Sequence, residues 1–551
     1  MTSESVSYGR SIDLTTLPAR GRRGTELRDR AGRSLRHGLR TASGDLRDAV
    51  LAVPRAVAIP VAVGLSAALA TVLGLALRIG LVTLPGLGGG LIGAGDNGDA
   101  FRLFCTAGLT PDTPSRFSLW RGVVVTSFTT GAEPCTAAPS SSSFLLGLVV
   151  PGDAGVWSLT SYAWLLAGIA ALAVGIGAAT LATVRPWRAA LVVLPLVGLL
   201  AVSWWSRFLV SLYAEPTALV AVAVLLVGLL VVAGTRPDHR VQRLVALALV
   251  GLGGLAGATA KPGFVPIGLV AAAAAAVIVV RSRRREGGLR GRVWRLAGPL
   301  VAVALLAGAA HPVSAAVEGQ DRSYAAVNAH NLLFTAVMPE VGPDVVVPAV
   351  GLPQSAAAHS GEGFYVAGGL GIPGWATAVG DRPDEARSVA RSLLLAHPDA
   401  FATMVGRGLT ATMRPQLTYL PSEPRGTAPE HFEGRTVYPE AGPQTTLLVG
   451  WLDEIALGWL PLALVVAALG AAAATLLPRA RRGDPLVVGL VRVAGGAALL
   501  GLGIVTLAVA GDGYYELSKH VWLGSYLFLT AGVTGLAAVV AGATARFRRR
   551  V

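Results

Sequence analysis

Ten apolar runs, each near the length of a membrane span, constrain the fold of this chain more than any other feature. A run of roughly 20 apolar residues is what an α-helix needs to cross the hydrocarbon core of a bilayer. The runs lie at about 56–77, 160–184, 189–206, 216–234, 244–260, 262–280, 297–317, 456–478, 493–511 and 521–545. We therefore predict an all-α polytopic membrane protein with about ten transmembrane helices.

The charges fix an orientation for these helices. The chain is 53% hydrophobic, 14% charged and has a formal net charge of +14. Its densest arginine clusters follow the even-numbered runs, at 185–188, 235–243, 281–295, 478–484 and 546–550. Basic residues beside spans favour the cytoplasmic side, so we predict a multi-pass protein of the cell membrane with both termini in the cytoplasm. This placement also argues against nucleic acid as the partner of the basic residues.

The orientation divides the chain into four predicted parts and places two large loops outside the cytoplasm, where we expect short helices. One segment of the second loop, 384–413, has the apolar spacing of a helix lying along the membrane surface. The four parts are a basic cytoplasmic tail (1–55), an N-terminal transmembrane module (56–317) with a first outer loop at 78–159, a large extracytoplasmic loop (318–455) and C-terminal transmembrane helices (456–551).

The two cysteines of the chain, Cys105 and Cys135, both fall in the first outer loop. A disulfide is permitted outside the cytoplasm, so we expect them to be bonded. The alternative is a pair of small unpaired residues.

The same loop contains the segment GAGDNGD (93–99), a short distance beyond the first span, in which glycines flank Asp96 and Asp99. A carboxylate here can take a proton from a hydroxyl, and two carboxylates can divide the roles of base and orienting group. They can instead hold a divalent cation such as Mg²⁺ or Mn²⁺. A plain turn is the alternative, since Asp, Asn and Gly are common turn residues.

A short outer turn, WWSRFLVSLYAEP, carries Arg207, Tyr213 and Glu215. We predict that Tyr213 and Glu215 bind substrate. The alternative is structural: aromatic residues form belts at membrane interfaces, and a Glu before Pro suits the start of a helix.

Both lysines of the chain, Lys261 and Lys519, fall at outer ends of spans, against the positive-inside trend. An ammonium group there suits a lipid phosphate, and Arg78 at the outer end of the first span is a further candidate. Lysines that merely extend their charge to the interface are the alternative.

Histidines supply the last candidates. We predict that His330 and His520 bind substrate. His330, His397 and His431 show no spacing typical of metal ligands. The sequence also lacks a phosphate-binding P-loop and a GxSxG motif, which argues against an ATP-driven pump and a serine hydrolase.

Four short segments together resemble the GT-C superfamily of integral-membrane glycosyltransferases, over about 56–545. They are GDNGD (95–99), WSRFLVSLYAEP (205–216), TAKPGFVP (259–266) and HPDAF (397–401). The chain departs from some members by lacking a separate soluble C-terminal domain. Its two acids are separated by two residues rather than adjacent, so which Asp is the base stays open.

The resemblance implies a reaction. A sugar would pass from a polyprenyl phosphate to a cell-envelope glycan or glycolipid, outside the cytoplasm and with inversion. Asp96 or Asp99 would be the base, while Lys261, with Arg78, Arg207 or Lys519, would hold the phosphate. It implies no cofactor beyond the divalent cation already considered.

Three other functions compete with this one. A transporter or a flippase of lipid-linked glycans would place charges deep within the spans, and few are found there. A scaffold has no need of acids and lysines on one side of the membrane. A multi-span acyltransferase would use a histidine near a span end, and His311 and His520 keep that alternative open.

Overall fold

A computed structural model describes residues 55–83, 93, 100–111, 125–136, 138–281, 289–367, 371–413, 430–432, 435–437, 458–478 and 483–550. The chain divides into two compact units, Met1–Ile59 and Pro60–Val551. Only the start of the first helix is described in the smaller unit, so the predicted cytoplasmic tail lies almost wholly outside the described residues. The larger unit contains every element discussed below.

Helices dominate the described residues. Those of the transmembrane helices and the first outer loop are α1 (Arg55–Arg78), α2 (Phe101–Thr106), α3 (Ser141–Gly147), α4 (Thr160–Ala182), α5 (Val197–Ala201), α6 (Ser203–Ser206), α7 (Glu215–Ala233), α8 (Arg240–Ala258) and α9 (Val265–Val277). They are followed by α10 (Leu289–His330), α11 (Met338–Val341), α12 (Pro343–Val350), α13 (Phe364–Ala367), α14 (Pro383–Ala396), α15 (Pro398–Ala411), α16 (Leu460–Ala474), α17 (Pro485–Asp512) and α18 (Leu517–Arg550). Segments of 3₁₀-helix cover Pro186–Leu196, Arg207–Leu209, Pro262–Phe264 and Gln354–His359, and π-helix covers Asn331–Val337 and Ala376–Gly380.

The prediction of an all-α polytopic membrane protein is confirmed, and each of the ten apolar runs forms an apolar helix. Among the described residues, seven helices are long and apolar enough to cross a membrane, namely Ala56–Arg78, Thr160–Ala182, Glu215–Ala233, Arg240–Ala258, Trp294–Val341, Pro485–Asp512 and Leu517–Phe547. The other three runs form shorter apolar helices, at Pro186–Ala201, Pro262–Val277 and Leu460–Ala474.

Helix α7 lies at the centre of the bundle. It is apolar on all sides, the pattern of a helix enclosed by others, and 89% of its most apolar window is buried. It packs against α4, α8 and α17. By contrast, only 17% of the corresponding window is buried in α1 and in the long helix that starts at Trp294. These two helices therefore expose apolar surface that suits lipid.

Helix α10 is longer than predicted. Its span was expected at 297–317, with a loop from 318, but the helical path continues through the π-helix Asn331–Val337 and α11 to Val341. The 48 residues from Trp294 rise about 72 Å, more than twice the thickness of the hydrocarbon core. The end of this rod therefore projects beyond the bundle and forms one wall of the site described below.

The predicted surface helix at 384–413 consists of two helices, α14 and α15, that break at His397. The break has a local cause: a residue that precedes proline disfavours helical backbone dihedral angles, and His397 precedes Pro398. The buried face of α14, formed by Ala386, Ala390 and Leu394, belongs to an apolar cluster with the π-helix Asn331–Val337. Protein rather than lipid thus covers that face.

The first outer loop contains strands that sequence reasoning did not predict. Strands β1 (Thr110–Pro111), β2 (Ser127–Thr129) and β3 (Val156–Ser158) form an antiparallel sheet in that order, with Phe128 opposite Trp157. A separate hairpin joins β4 (Glu430–Phe432) and β5 (Arg435–Val437). A disulfide links Cys105 to Cys135, with their Cα atoms 5.4 Å apart.

The arginine-rich segments meet at one end of the bundle. Arg188 donates to the carbonyl of Gly234 at 2.6 Å, and the amide of Arg281 donates to the carbonyl of Pro237 at 2.9 Å. Asp484 lies within electrostatic reach of Arg188. Three of the predicted basic segments and the start of α17 therefore share one end, as the positive-inside pattern requires.

Candidate functional site

A cavity of about 630 Å³ lies at the opposite ends of the same helices. Pockets of this size are typical of small-molecule and cofactor sites. Its walls come from the start of α7, the turn before α9, the extension of α10, helix α14, the end of α17 and the start of α18. Because α7, α8 and α17 run between the cavity and the arginine-rich end, these two features lie at opposite ends of the bundle.

An ion pair between Lys261 and Glu215 lines the cavity, with Nζ 3.0 Å from Oε1. Glu215 is the first residue of α7, where the helix dipole stabilises a carboxylate. Lys261 is extended because Pro262 follows it, and this brings its side chain from the end of α8 back to the start of α7. The Glu215 side chain is 3% exposed and that of Lys261 is 26% exposed, so the ammonium is the partner that faces the cavity.

A second pair in the cavity joins Asp512 and His520, with Oδ2 3.1 Å from Nε2. Asp512 ends α17 and His520 lies in the first turn of α18. The other oxygen of Asp512 accepts a hydrogen bond from Asn331 Nδ2 at 3.0 Å. The Asn331 oxygen in turn accepts from the amide of Phe364 at 3.0 Å. Asp512 is thus held from two sides, which fixes the orientation of the His520 ring.

The turn between α17 and α18 is clamped by the π-helix that follows α10. The amide of Tyr514 donates to Thr335 Oγ1 at 2.8 Å, and Gly513 has a φ of +60°. A Cβ atom at Gly513 would lie 2.5 Å from Thr335 Oγ1 and 2.6 Å from the carbonyl oxygen of Asn331. Only glycine fits this close approach, and the approach is what carries Asp512 to the cavity.

One side of the cavity is polar, and we call it the polar wall. It is formed by Gln320, Asp321, Asn328, Asp384, Arg387 and Arg391, from α10 and α14. Arg387 pairs with Asp321 at 2.8 Å and also with Asp384. Burial alone would lower the pKa of the Arg387 guanidinium, but the two carboxylates outweigh burial and raise it. This doubly paired arginine ties α14 to α10.

A second part of the lining is apolar, and we call it the apolar wall. It is formed by Phe264, Val265, Val317, Ile504, Leu507 and Ala508, from the turn before α9, the start of α9, and from α10 and α17. Val317 and Leu507 are each 40% exposed. The cavity therefore combines charged and amide groups with accessible hydrocarbon, which suits a ligand that has both a polar and an apolar part.

Sequence reasoning named part of this site. Lys261, Glu215 and His520 line the cavity as a group. Arg387, Arg391 and the rest of the polar wall were missed, although two arginines four residues apart share one face of a helix and are a readable signal. Asp512, which precedes His520 in the same outer turn, was not predicted either.

The predictions for Lys519 and Tyr213 need correction, because both side chains lie outside the cavity lining. Lys519 is 3% exposed and bonds to Glu516 Oε2 at 3.1 Å. Its Nζ lies 5.7 Å from the ring centre of Tyr213, which is 3% exposed as well. Both side chains are buried and therefore not accessible to a ligand in the cavity. The charge of Lys519 nevertheless interacts with the Glu215 carboxylate.

The prediction for Arg207 also needs correction. Arg207 is 2% exposed, and its guanidinium carbon lies 5.8 Å from the ring centre of Phe208. It is not among the cavity-lining residues, because the short turn that carries it is packed into the bundle rather than left at its surface. Arg78 is half-buried at the end of α1 and donates to the carbonyl of Ala201 at 3.4 Å; it does not line this cavity either, and its phosphate role stays a prediction.

His330 is structural, contrary to the prediction that it binds substrate. It is fully buried, and its Nδ1 accepts a hydrogen bond from Trp375 Nε1 at 3.0 Å. Its Nε2 is then the protonated nitrogen and donates to the carbonyl of Glu362 at 3.1 Å. Phe334 stacks on the ring with a centroid distance of 4.5 Å. Both ring nitrogens are used within the protein.

Asp96 and Asp99 lie outside the described residues, so their predicted roles stay predictions. The described chain resumes at Ala100, and the guanidinium carbon of Arg102 lies 4.1 Å from the ring centre of Tyr324. Tyr324 is on α10 between Gln320 and Asn328, two residues of the polar wall. The described end of the aspartate segment is therefore next to the helix that lines the cavity.

Within the part of the chain that the structure describes, no group of three or more His, Cys, Asp and Glu residues is arranged to hold a metal ion. His397 lies at the break between α14 and α15, and His431 lies in β4. A cation on Asp96 and Asp99 stays an open prediction.

Comparison with known proteins gives one family. The sequence model described as the YfdI N-terminal transmembrane domain matches residues 62–369. No curated protein and no solved structure gives a significant match. The matched region spans more than half of the chain and includes α7, α8, the Lys261–Glu215 pair and the whole α10 side of the cavity. The chain therefore belongs to the YfdI N-terminal transmembrane domain family of membrane proteins.

Proposed function

We propose that the protein is a membrane glycosyltransferase. It transfers a sugar from a polyprenyl phosphate to a glycan or glycolipid acceptor of the cell envelope, on the extracytoplasmic side. The observation that carries the proposal is the cavity itself, with a cavity-facing ammonium, a polar wall and an apolar wall. The motifs at 95–99, 205–216 and 259–266 support it through their resemblance to the GT-C superfamily, and the family match is to a domain of membrane proteins.

Each part of such a donor has a matching surface. The first isoprene units fit against the apolar wall. Two of its residues, Val317 and Leu507, are exposed enough to contact lipid. The phosphate fits beside Lys261, whose ammonium has three donors and gives one to Glu215. Among the described residues no other group accepts a hydrogen bond from this ammonium, so its remaining donors can stabilise the charge that grows on the phosphate as it leaves.

Glu215 has a supporting role in this scheme. The buried carboxylate accepts a hydrogen bond from the ammonium and fixes its position. The ion pair leaves little net charge at the site, so donor recognition relies on directed hydrogen bonds and on the apolar wall as well as on attraction between opposite charges.

The chemical step follows the resemblance. Asp96 or Asp99 accepts the proton of an acceptor hydroxyl, whose oxygen forms a bond to the anomeric carbon. The bond from that carbon to the phosphate oxygen breaks on the opposite face, so the anomeric configuration inverts. A phosphate leaves readily without a proton from an acid, so one carboxylate base is sufficient.

The orientation of the bundle supports an extracytoplasmic site. Three basic segments share the end that lies opposite the cavity. Basic residues next to spans are retained in the cytoplasm. The cavity then faces outward, where lipid-linked sugars are used for surface glycans.

The test uses purified protein and polyprenyl phosphates that carry radiolabelled mannose, galactose, rhamnose or arabinose. We expect the wild type to cleave at least one donor, by transfer or by slow hydrolysis, and Asp96→Asn or Asp99→Asn to lose this activity while eluting as a folded protein. Asp153→Asn, an exposed aspartate of the same outer loop, is the matched control and should retain full activity.

Two outcomes would contradict the proposal. If both Asp96→Asn and Asp99→Asn keep full turnover, the assignment of the base is wrong. If reconstituted wild type moves labelled donors across the bilayer without breaking the bond between sugar and phosphate, the protein is a flippase instead.

A further inference from the structure

Three side chains of the polar wall have no hydrogen-bond or ion-pair partner among the residues that the structure describes. Gln320 and Asn328 on α10 and Arg391 on α14 all line the cavity. Among the described residues, neither amide group and no nitrogen of the Arg391 guanidinium has a hydrogen bond or an ion pair. Both amide residues are half-buried and Arg391 is exposed, so all three polar groups are accessible to a molecule in the cavity.

These three side chains lie on one continuous surface. Gln320 and Asn328 are eight residues apart on α10, which is a little over two turns, or about 12 Å. Asp321 lies between them along the helix and pairs with Arg387 of α14. Arg391 is one helical turn beyond Arg387. The salt bridge thus holds the two helices together and leaves the unpartnered groups along the same side of the cavity.

The charges of the polar wall balance. Its two guanidinium groups, Arg387 and Arg391, are matched by the two carboxylates Asp321 and Asp384. A wall with no net charge gives an anion no overall electrostatic attraction. Amide and guanidinium groups that lack partners instead offer hydrogen bonds to hydroxyl groups, and a site built to bond hydroxyls discriminates against ligands that lack them.

We propose that the polar wall is the subsite for the acceptor and that it binds an uncharged saccharide through Gln320, Asn328 and Arg391. This inference rests on the proposed function and adds the substrate class of the acceptor. The donor lies with its prenyl chain on the apolar wall, and the acceptor sugar lies on the polar wall, with one hydroxyl directed at the anomeric carbon.

The experiment measures how the donor is partitioned between transfer and hydrolysis. Membranes of the source cell supply the natural acceptor, and polyprenyl phosphates with radiolabelled mannose, galactose, rhamnose or arabinose are the probes. Label in glycan reports transfer, and free labelled sugar reports attack by water. In hydrolysis, water gives its oxygen to the anomeric carbon and its proton to the base, and polyprenyl phosphate leaves as in transfer.

We expect Gln320→Ala and Asn328→Ala each to lower the ratio of transfer to hydrolysis by roughly 3- to 10-fold, the usual value of one neutral hydrogen bond. Arg391→Ala should lower it further, because its bond is charge-assisted. Donor binding should stay within about twofold of the wild type. Arg382→Ala, which removes an exposed arginine that bonds to Glu385 near the same helix, is the matched control and should leave the ratio unchanged.

Three results would overturn the inference. The first is an unchanged ratio in all three variants. The second is a parallel loss of donor binding, which would assign these residues to the donor site. The third is transfer that falls steeply with added salt while hydrolysis does not, which would show an anionic acceptor. Absence of any donor cleavage by the wild type would contradict the proposed function instead, so the two failures are distinguishable.

Discussion

Replacing Lys261 by Met should affect stability and donor binding separately, and the ion pair with Glu215 explains why. The carboxylate of Glu215 is 3% exposed and lies 3.0 Å from Lys261 Nζ. Removing one member of a buried pair costs about 3–5 kcal/mol, because the other charge stays buried without its partner. Lys261 is itself 26% exposed, so we expect a value near the lower limit, about 3 kcal/mol.

The double variant Lys261→Met/Glu215→Gln separates the two effects. Replacing both members of a buried pair is commonly close to neutral, so the free energy of unfolding should return to within about 1 kcal/mol of the wild type. Donor binding should not return. The lost bond is a charge-assisted hydrogen bond to phosphate, which is worth about 1.5–3 kcal/mol and corresponds to a drop in affinity of roughly 10-fold or more.

The assay pairs thermal unfolding in detergent with equilibrium binding of a radiolabelled polyprenyl phosphate sugar. Arg492→Met is the matched control, since it removes a cation that bonds to Thr475 instead of lining the cavity. It should leave donor affinity unchanged. A double variant that is no more stable than Lys261→Met would refute the ion-pair reasoning. A double variant that binds donor like the wild type would remove Lys261 from the phosphate site.

Three further predictions test the frame around the cavity. Gly513→Ala should destabilise the protein by about 1–3 kcal/mol in thermal unfolding and should reduce donor cleavage, because its Cβ would lie 2.6 Å from a backbone oxygen. Gly511→Ala is the control, since the space around its Cβ is open, and it should change neither stability nor cleavage. His330→Leu should lower the unfolding temperature, since it removes two buried hydrogen bonds. Donor affinity of the folded protein should stay unchanged. A loss of donor affinity without a loss of stability would restore the predicted role of His330 in substrate binding. Cys105→Ser should destabilise the protein by about 3–4 kcal/mol, the value for a disulfide that closes a loop of 30 residues. Equal unfolding temperatures for this variant and for the non-reduced wild type would argue against the bond.

The sequence was sufficient for the helices and for much of the site, because both depend on simple physical signals. Apolar runs of membrane length located ten helices, and arginine placement assigned Lys261, Glu215 and His520 to one end of the bundle. Their pairing was not predictable. Lys261 and Glu215 are 46 residues apart, and only the packing of α7 against α8 brings their side chains together.

The errors in the site share a cause. His330 was treated as a loop residue open to ligand, because the helical path beyond 317 carries too many polar residues to be recognised as a span. In the structure that path continues, and Trp375 packs onto it from the outer loop. Arg387 and Arg391 were missed for a related reason, since α14 is not part of a membrane span and its position is set by long-range contacts, the pair with Asp321 and packing on the π-helix, that the sequence pattern does not show.

Photocrosslinking of the donor tests the central claim most directly. A polyprenyl phosphate sugar with a diazirine on the first isoprene unit is irradiated with the protein in vesicles, and the labelled peptides are identified by mass spectrometry. We expect labelling at the apolar wall, around Phe264 and Val265 and around Leu507, and its suppression by excess unlabelled donor. Labelling that concentrates at the arginine-rich end, or that unlabelled donor does not suppress, would contradict the assignment of this cavity as the donor site.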